Sequence, residues 1–563
     1  MRLLFIQPEF ENIGIEYVSA ALKRAGHITD LVFIPKPFEN TSFKVRDDDE
    51  GEENSKISKK IEIFKPDVIG FSPFTSHFRW SVRKSEFIKQ KFPEKFILFG
   101  GVHASFIPET TIEEESIDGV MVGEAEIAIV EFAKNFGDRA KLLKTPNLWI
   151  SDKGKIRQND LAPQIEMDDL PYPDKDLFYD IFPEYQKRST FTFMASRGCP
   201  YQCTYCCNDI YFDLYKGQKT VRFQSPKYVV EQLKYFKNKF HFNRVDFMDD
   251  VLATKLERLE EMLPLYKKEI GLPWVCFMYP NRFTIKESVV KILKETGCEW
   301  MKVGVQSADE DYRRNILKRR ETNDLVIKLA DVCKKHKLSF SFDHILNMPG
   351  ETTEGLIAAI RLYNRCKPEI VNFGSLIYLP KTRIVEHGLK YGEITEEDVK
   401  LINKGLDPMA GKSNIERFKG KESAINYSMV TFLLIVVTLL PRRFFERLLK
   451  TGFYNSKFQI PSMALVLLKV ASKFKARQGY IYLSAVKYSL YYGLIGQLRR
   501  IFGKDILDQT KNLNDGILND ATFLAGGLGT LASDDSFTGN SSWTFDQKPV
   551  CEEEKKELVV PGH

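Results

Sequence analysis

The sequence predicts an α/β protein: a doubly wound, Rossmann-like parallel sheet, then a partial (β/α)6 TIM-like barrel, then a mainly helical region. Three observations predict it. Short apolar strands alternate with helix-period segments through residue 145, and a second alternating series begins near Phe191. From about residue 396 the chain turns apolar and basic and strand signals cease. A length of 563 residues leaves room for roughly three to five domains. The boundaries that follow are 1–145, a linker over 146–187, 188–395, 396–510, and a tail over 511–563.

In the first domain, residues 3–6 read as a short buried strand. Over 14–26, Ile15, Val18, Leu22 and Ala25 share one helical face, closed by Gly26. Further strands fall at 31–34, 68–71, 96–99 and 120–122, with helices over 57–64 and 80–92. The acidic run 47–53 reads as a solvated loop. Open parallel sheets bind ligands beyond the carboxyl ends of their strands. Ser72, Thr75, Gly100, Gly101, Gly123 and Glu124 all fall at such ends.

Pro and Asp enrichment over 168–178 predicts an extended connector. The second series places strands at 191–195, 244–248, 274–278, 301–305, 339–345 and 371–377. Helices lie between them at 227–240, 256–270, 285–295, 324–336 and 354–365. Six β/α steps in this span fit a partial or closed parallel barrel with its chemistry at the C-terminal mouth of the strands.

Composition excludes several classes. Apolar residues make up 43% and charged residues 28%, ordinary values for a folded globular chain. Lys plus Arg number 82 against 76 Asp plus Glu, too mild an excess to imply nucleic-acid binding. Nine cysteines, an odd and sparse set, argue against a disulfide scaffold and for a reducing, cytoplasmic compartment. The opening MRLLFIQPEF reads as a strand and not as a signal peptide. The longest apolar stretch, 429–440, is shorter than the roughly 20 residues a membrane span needs.

The most informative segment is SRGCPYQCTYCCND. Cys199, Cys203 and Cys206 have the spacing Cys-x3-Cys-x2-Cys on a loop that follows a strand. A closed zinc site and an ordinary cubane cluster each want four protein ligands. Three thiolates on a cubane leave one iron free for an outside ligand. A zinc site completed by a distant Cys or His is the competing reading, disfavoured by the βα-rich surroundings. Cys207 follows directly, and its side chain is expected to point away from that of Cys206.

This spacing, with Tyr205 before the third cysteine, resembles the signature of the radical S-adenosylmethionine (SAM) enzymes. The resemblance implies a [4Fe-4S] cluster on Cys199, Cys203 and Cys206, whose free iron is chelated by the amino and carboxylate groups of SAM. Electron transfer then cleaves the sulfonium to a 5′-deoxyadenosyl radical, drawing on a low-potential donor of the flavodoxin or ferredoxin type. Other strand ends match the same family. Phe247-Met248-Asp249-Asp250 looks like the segment that meets the SAM amino group. Gln306 stands where the family usually places a Glu on the ribose or carboxylate, and Asn347-Met348-Pro349-Gly350-Glu351 resembles the turn flanking the adenine. Tyr205, Asp249, Gln306 and Glu351 are therefore the expected SAM contacts. Arg319 and Arg320 read first as a solvated helix end, with contact to the SAM carboxylate as the alternative. No catalytic acid or base is assigned.

Residues 14–27 resemble the first helix of the cobalamin-binding domain that precedes many radical SAM domains. Gly70 to Thr75, Phe99 to Ala104, Val122 to Glu126 and Leu170-Pro171-Tyr172-Pro173 extend the likeness. It implies that Ser72, Thr75, Gly100, Gly101, Gly123 and Glu124 line the corrin or its nucleotide tail. The Asp-x-His-x-x-Gly motif that supplies a lower cobalt ligand elsewhere does not occur here. His77 and His103 are the fallback ligands.

The 429–440 run reads as a buried core helix. A second reading lays 427–502 on a membrane surface, with Arg442, Arg443, Arg447 and Lys450 at anionic headgroups. Together the resemblances imply a cobalamin-dependent radical SAM methyltransferase acting at an unactivated carbon of a small-molecule or lipid-like substrate. The alternatives are a cyclase or rearrangement enzyme with the same cofactors, and a non-catalytic cobalamin-binding or membrane-associated partner protein.

Overall fold

A computed structural model describes residues 1–34, 50–152, 154–181, 190–253, 255–408, 425–456 and 458–475. The predicted tail over 511–563 and residues 476–502 of the membrane-surface reading lie outside the described residues.

The first sheet runs β2-β1-β3-β4-β5-β6-β7. β1 (Arg2–Pro8), β2 (Ile28–Ile34), β3 (Val68–Phe71), β4 (Phe96–Phe99) and β5 (Gly119–Met121) pair in parallel. β1 is buried on both faces from Leu3 to Ile6, which is why it reads as an unbroken apolar run. Helix α1 (Ile13–Arg24) starts where the Asn12 side chain accepts the Ile15 amide at 3.2 Å, and Gly26 stands beyond its end at φ 83°.

Two findings differ from the sequence reading here. β6 (Leu148–Asp152) and β7 (Lys155–Gln158) add to the sheet antiparallel, so the first domain runs past residue 145 and its sheet is mixed. β7 is exposed along its whole length and carries no apolar pattern to announce it. The acidic run is not wholly a loop. Its residues from Glu50 onward open helix α2 (Glu50–Phe64), and buried Glu53 pairs with buried Lys84 of α3 (Phe78–Lys91) at 2.7 Å; α4 (Gly101–Phe106) and α5 (Glu126–Asn135) are the longer helices that follow in this domain.

The connector is extended apart from short turns, and it is pinned to α1. Lys175 is buried between Glu11 and Glu16, at 2.6 and 2.8 Å. Desolvation opposes its charge, and the two carboxylates more than offset it.

The second sheet has six parallel strands in the order β15-β14-β13-β12-β11-β8. They are β8 (Thr190–Phe193), β11 (Arg244–Phe247), β12 (Trp274–Met278), β13 (Cys298–Gln306), β14 (Ser339–Leu346) and β15 (Ile370–Ser375). β8 and β15 are its two edges, which makes the barrel partial. Helices α7 (Pro226–Lys239), α8 (Leu256–Glu269), α9 (Glu287–Glu295), α10 (Asn323–Lys335) and α11 (Thr353–Cys366) intervene in the order expected. A two-stranded clasp, β9 (Ser196–Arg197) against β10 (Arg222–Phe223), brackets helix α6 (Cys207–Leu214).

The helices after the barrel are α12 (Arg383–Lys390), α13 (Glu396–Asn403), α14 (Tyr427–Leu439), α15 (Arg442–Lys450) and α16 (Ser462–Lys475). α14 is the apolar run, and it is core: Met429, Leu433, Leu434 and Val437 are at most 1% exposed. It packs against β15 and α11 and joins the same apolar cluster as the barrel. A boundary at 396 therefore does not separate a helical domain from the barrel. Among the described residues, no helix is long and apolar enough to cross a membrane.

Candidate functional site

The cysteine loop leaves β9 through Gly198, at φ 83°, where a Cβ would lie 2.0 Å from the Thr220 carbonyl oxygen. Only glycine fits that approach. The loop turns back on itself as the Cys206 amide donates to the Cys203 carbonyl at 2.9 Å. Thr204 anchors it to the barrel by donating through its hydroxyl to Ile316 O at 2.8 Å and accepting at its carbonyl from the Ile384 amide at 2.9 Å. Arg383 of α12 grips Asp209 through both carboxylate oxygens and reaches the Gln202 carbonyl at 3.2 Å.

All three cysteines are free thiols. Among the described residues, no three His, Cys, Asp or Glu side chains converge closely enough to hold one metal ion. Burial pushes the Cys199 thiol up to about 12 and also raises Cys203, against the pull of Arg319. Cys206 moves the other way, to about 7. The Cys207 thiol hydrogen-bonds it, and the Asn208 amide assists. The neighbouring side chains therefore meet and do not diverge, because Cys206 is the extended N-cap of α6 while Cys207 begins the helix.

Arg319 corrects the sequence reading. It is 5% exposed and sits against the cluster loop, not in solvent. Its guanidinium lies 3.8 Å from Cys203 Sγ and donates to the Tyr205 hydroxyl at 3.0 Å, to Gly304 O at 2.7 Å and to Glu321 at 2.6 Å. It also stacks over Tyr279, whose ring lies on Tyr201. A buried cation of this kind is legible from sequence only through its partners, which lie far apart in the chain. Arg320 is exposed as expected.

Of the expected SAM contacts, Asp249, Gln306 and Glu351 lie at or just after the C-terminal ends of β11, β13 and β14, and Tyr205 lies on the cysteine loop. Gln306 and Asn347 each take positive φ, 65° and 60°, at the ends of β13 and β14. Gln306 Oε1 and Asn347 Oδ1 are both buried without a hydrogen-bond partner. Two orphaned acceptors at adjacent strand ends fit a ligand that brings its own donors, as ribose hydroxyls and an adenine amino group do. Tyr205 instead hydrogen-bonds Cys203 and Arg319. Asp249 is sealed at 0% exposure, accepting from the Ala195 amide at 3.1 Å and from the Ser196 hydroxyl, and burial lifts it to about 6. It ties β11 to the strand that feeds the cysteine loop. Its neighbour Asp250 faces the thiols, hydrogen-bonded by Asn208.

Glu351 accepts from the Asn347 amide at 3.0 Å and from the Tyr427 hydroxyl of α14 at 2.9 Å. Burial pushes it up to about 8. The folded protein therefore keeps a proton that the unfolded chain releases near pH 4.3. Stability is expected to fall as pH rises between those values, and Glu351→Gln to flatten that slope by up to one proton. Urea unfolding across this pH range measures it.

At the first sheet, order reverses between β1 and β3, the switch point where open α/β sheets take ligands. Ser72, Gly100, Gly101 and Gly123 meet on this rim. A Cβ on Gly101 would lie 2.5 Å from Ser72 Oγ, and the Gly123 amide donates to Ser105 Oγ at 2.9 Å. His77 pairs through Nε2 with Glu9 at 2.6 Å, and its buried Nδ1 has no hydrogen-bond partner. The unpartnered nitrogen and the close-set glycines fit a large polar ligand here. Thr75 bonds His103 Nδ1 at 3.2 Å, and His103 is stacked on Phe78 and held neutral by burial, down to about 3. Glu124 departs from expectation. Its carboxylate pairs with Arg222 and Arg197, and its amide is met by the Tyr215 hydroxyl at 2.6 Å. It faces the clasp and the end of α6.

Comparison with known proteins agrees with this division. Residues 4–133 match the B12 binding domain and residues 194–363 the radical SAM superfamily. An uncharacterized methyltransferase of Pyrococcus horikoshii is 28% identical over 408 residues, 69% of this chain and 83% of that one. The anaerobic magnesium-protoporphyrin IX monomethyl ester cyclase of Rubrivivax gelatinosus is 21% identical over 402 residues, 68% of each. The cobalamin-dependent SAM radical enzyme OxsB shares the fold, with a TM-score of 0.60 at 15% identity, over 88% of this chain and 81% of that one. The two domains bring a [4Fe-4S] cluster, SAM and cobalamin. The chain thus carries a radical SAM domain over residues 194–363 with a B12 binding domain ahead of it over residues 4–133.

Proposed function

We propose that the protein is a methyltransferase that moves a methyl group from SAM, by way of cobalamin, to an unactivated carbon of a small molecule. One observation carries the reading beyond family membership. Helix α6, which begins one residue after Cys206, ends with Tyr215 seated on Gly123 and Glu124 of the first domain. A methyl carrier is useful to a substrate radical only at short range, and this contact fixes the cluster loop to the rim of the corrin domain.

When bound, the cluster and SAM supply a hydrogen-abstracting 5′-deoxyadenosyl radical, and cobalamin supplies the methyl group. The chain's own residues position and shield. Arg319 holds Cys203 and Tyr205 in place. Gln306 Oε1 and Asn347 Oδ1 accept hydrogen bonds from the ligand, and Asp249 keeps the strand ends in register. Electrons come from a small low-potential donor of the flavodoxin or ferredoxin type.

The test is anaerobic reconstitution and incubation with methyl-labelled SAM, a strong reductant and a cell extract as the source of substrate. S-adenosylhomocysteine is expected alongside 5′-deoxyadenosine, with label in a product. If 5′-deoxyadenosine alone accumulates and no product is labelled, methyl transfer is wrong. That outcome would support ring formation, the second reading, which the likeness to the ester cyclase favours.

A further inference from the structure

α15 is a short amphipathic helix with an unusual outer face. Phe445 and Leu449, 0% and 2% exposed, turn inward and pack it against α11. Arg442, Arg443, Arg447 and Lys450 all turn to solvent. The helix has one acid, Glu446, and it is drawn inward: Asn364 of α11 donates to its carboxylate at 2.6 Å and to the Arg442 carbonyl at 3.3 Å. Among the described residues, none of the four cations has an ion pair. An exposed basic face in a folded protein usually has acids interspersed in it. This one has an aromatic instead. Phe444 is 63% exposed among the cations, with the Arg447 guanidinium 5.9 Å from its ring centre. Leu440 and Phe453, flanking the helix, are also more than a third exposed. The arginines, Glu446 and Lys450 line an open groove of about 430 Å³.

We propose that α15 docks the enzyme on an anionic phospholipid bilayer. Unpaired cations around an exposed aromatic match a surface of negative headgroups above an apolar layer. The cations supply attraction at the headgroup plane, and Phe444 inserts below it. The helix axis lies along the protein surface, fixed through Phe445, Leu449 and the Asn364 bonds, so docking needs no refolding. A polyanion such as a nucleic acid would satisfy the charges and leave Phe444 without an apolar partner, which is why a bilayer is the better match. Docking would bring the enzyme to apolar substrates dissolved in the membrane. It does not depend on whether methyl transfer or ring formation is the chemistry.

The experiment is co-sedimentation of the full-length, cofactor-loaded protein with vesicles of phosphatidylcholine alone or mixed with phosphatidylglycerol. Binding is expected only with the anionic vesicles and is expected to weaken as salt is raised. The triple variant Arg442→Gln, Arg443→Gln, Arg447→Gln is expected to lower the partition coefficient on the order of 100-fold. Phe444→Ala is expected to lower it on the order of 10-fold. Matching substitutions at exposed Lys227, Lys267 and Lys268 leave it unchanged, and thermal melting confirms that each variant is folded. The proposal is overturned by no binding, by equal binding to phosphatidylcholine alone, or by a triple variant that binds as well as the parent. It is equally overturned if glycerol phosphate displaces the protein completely, since the site would then be one for a small soluble anion.

Discussion

Replacing Arg197 with methionine is expected to destabilise the fold by about 3–5 kcal/mol, the usual cost of stripping one partner from a buried ion pair. Arg197 lies between the two domains. It pairs with Glu126 at 2.5 Å and Glu124 at 3.3 Å, and its guanidinium covers the Tyr17 ring. Burial alone would raise Glu126, but the charge and hydrogen bond of Arg197, helped by a backbone hydrogen bond and Arg222, together hold that carboxyl below its ordinary value. The pair's stability is therefore present above the ordinary carboxylate range and is lost as pH falls through the lowered value. In the variant the sign reverses: Glu126 is buried without its principal cation, takes up a proton more readily, and stability falls as pH rises. Urea unfolding across pH measures both effects. The double variant Arg197→Met, Glu126→Gln is expected to recover part of the loss, since it removes the stranded charge. Arg197 is also two residues from Cys199, so iron content after reconstitution should fall in the single variant and rise again in the double.

Cys203→Ala is expected to reduce bound iron and the visible absorbance of the reconstituted protein to background, and 5′-deoxyadenosine formation with them. Cys207→Ala is the discriminating partner. Its thiol hydrogen-bonds Cys206 and is not part of the expected ligand set, so the variant should keep its iron. Loss of iron in Cys207→Ala and retention in Cys203→Ala would reassign the ligands. Stoichiometric zinc in the anaerobically purified parent would remove the cluster altogether.

The strands were legible because each is short, apolar and bounded by turn residues. The two series predicted from sequence coincide with the parallel strands of the two sheets. Of the strands that escaped, β6 and β7 pair antiparallel at the sheet's edge, where one apolar face suffices and β7 has none. The cysteine loop was legible because its ligands are local. The residues around it were not. Arg319 reaches Cys203 from more than 100 positions away, and Arg197 and Arg222 reach Glu124 from the far domain. Nothing in local spacing separates such a buried cation from a solvated one. Glu124 shows the converse. Its place at a strand end suggested a ligand contact, but a strand end that faces another domain serves that domain first.

The hydrogen bond from Tyr427 to Glu351 also sets where this polypeptide can be cut. α14 lies on edge strand β15 and reaches the turn after β14, although it follows that turn by more than 70 residues. A fragment ending near residue 396 would uncover the apolar surface that α14 buries on β15 and α11 and leave the Glu351 carboxyl without one of its two donors. Such a piece would be prone to self-association. Expression fragments and chimeras of this protein should therefore exchange the barrel and α14 together, as one inherited part.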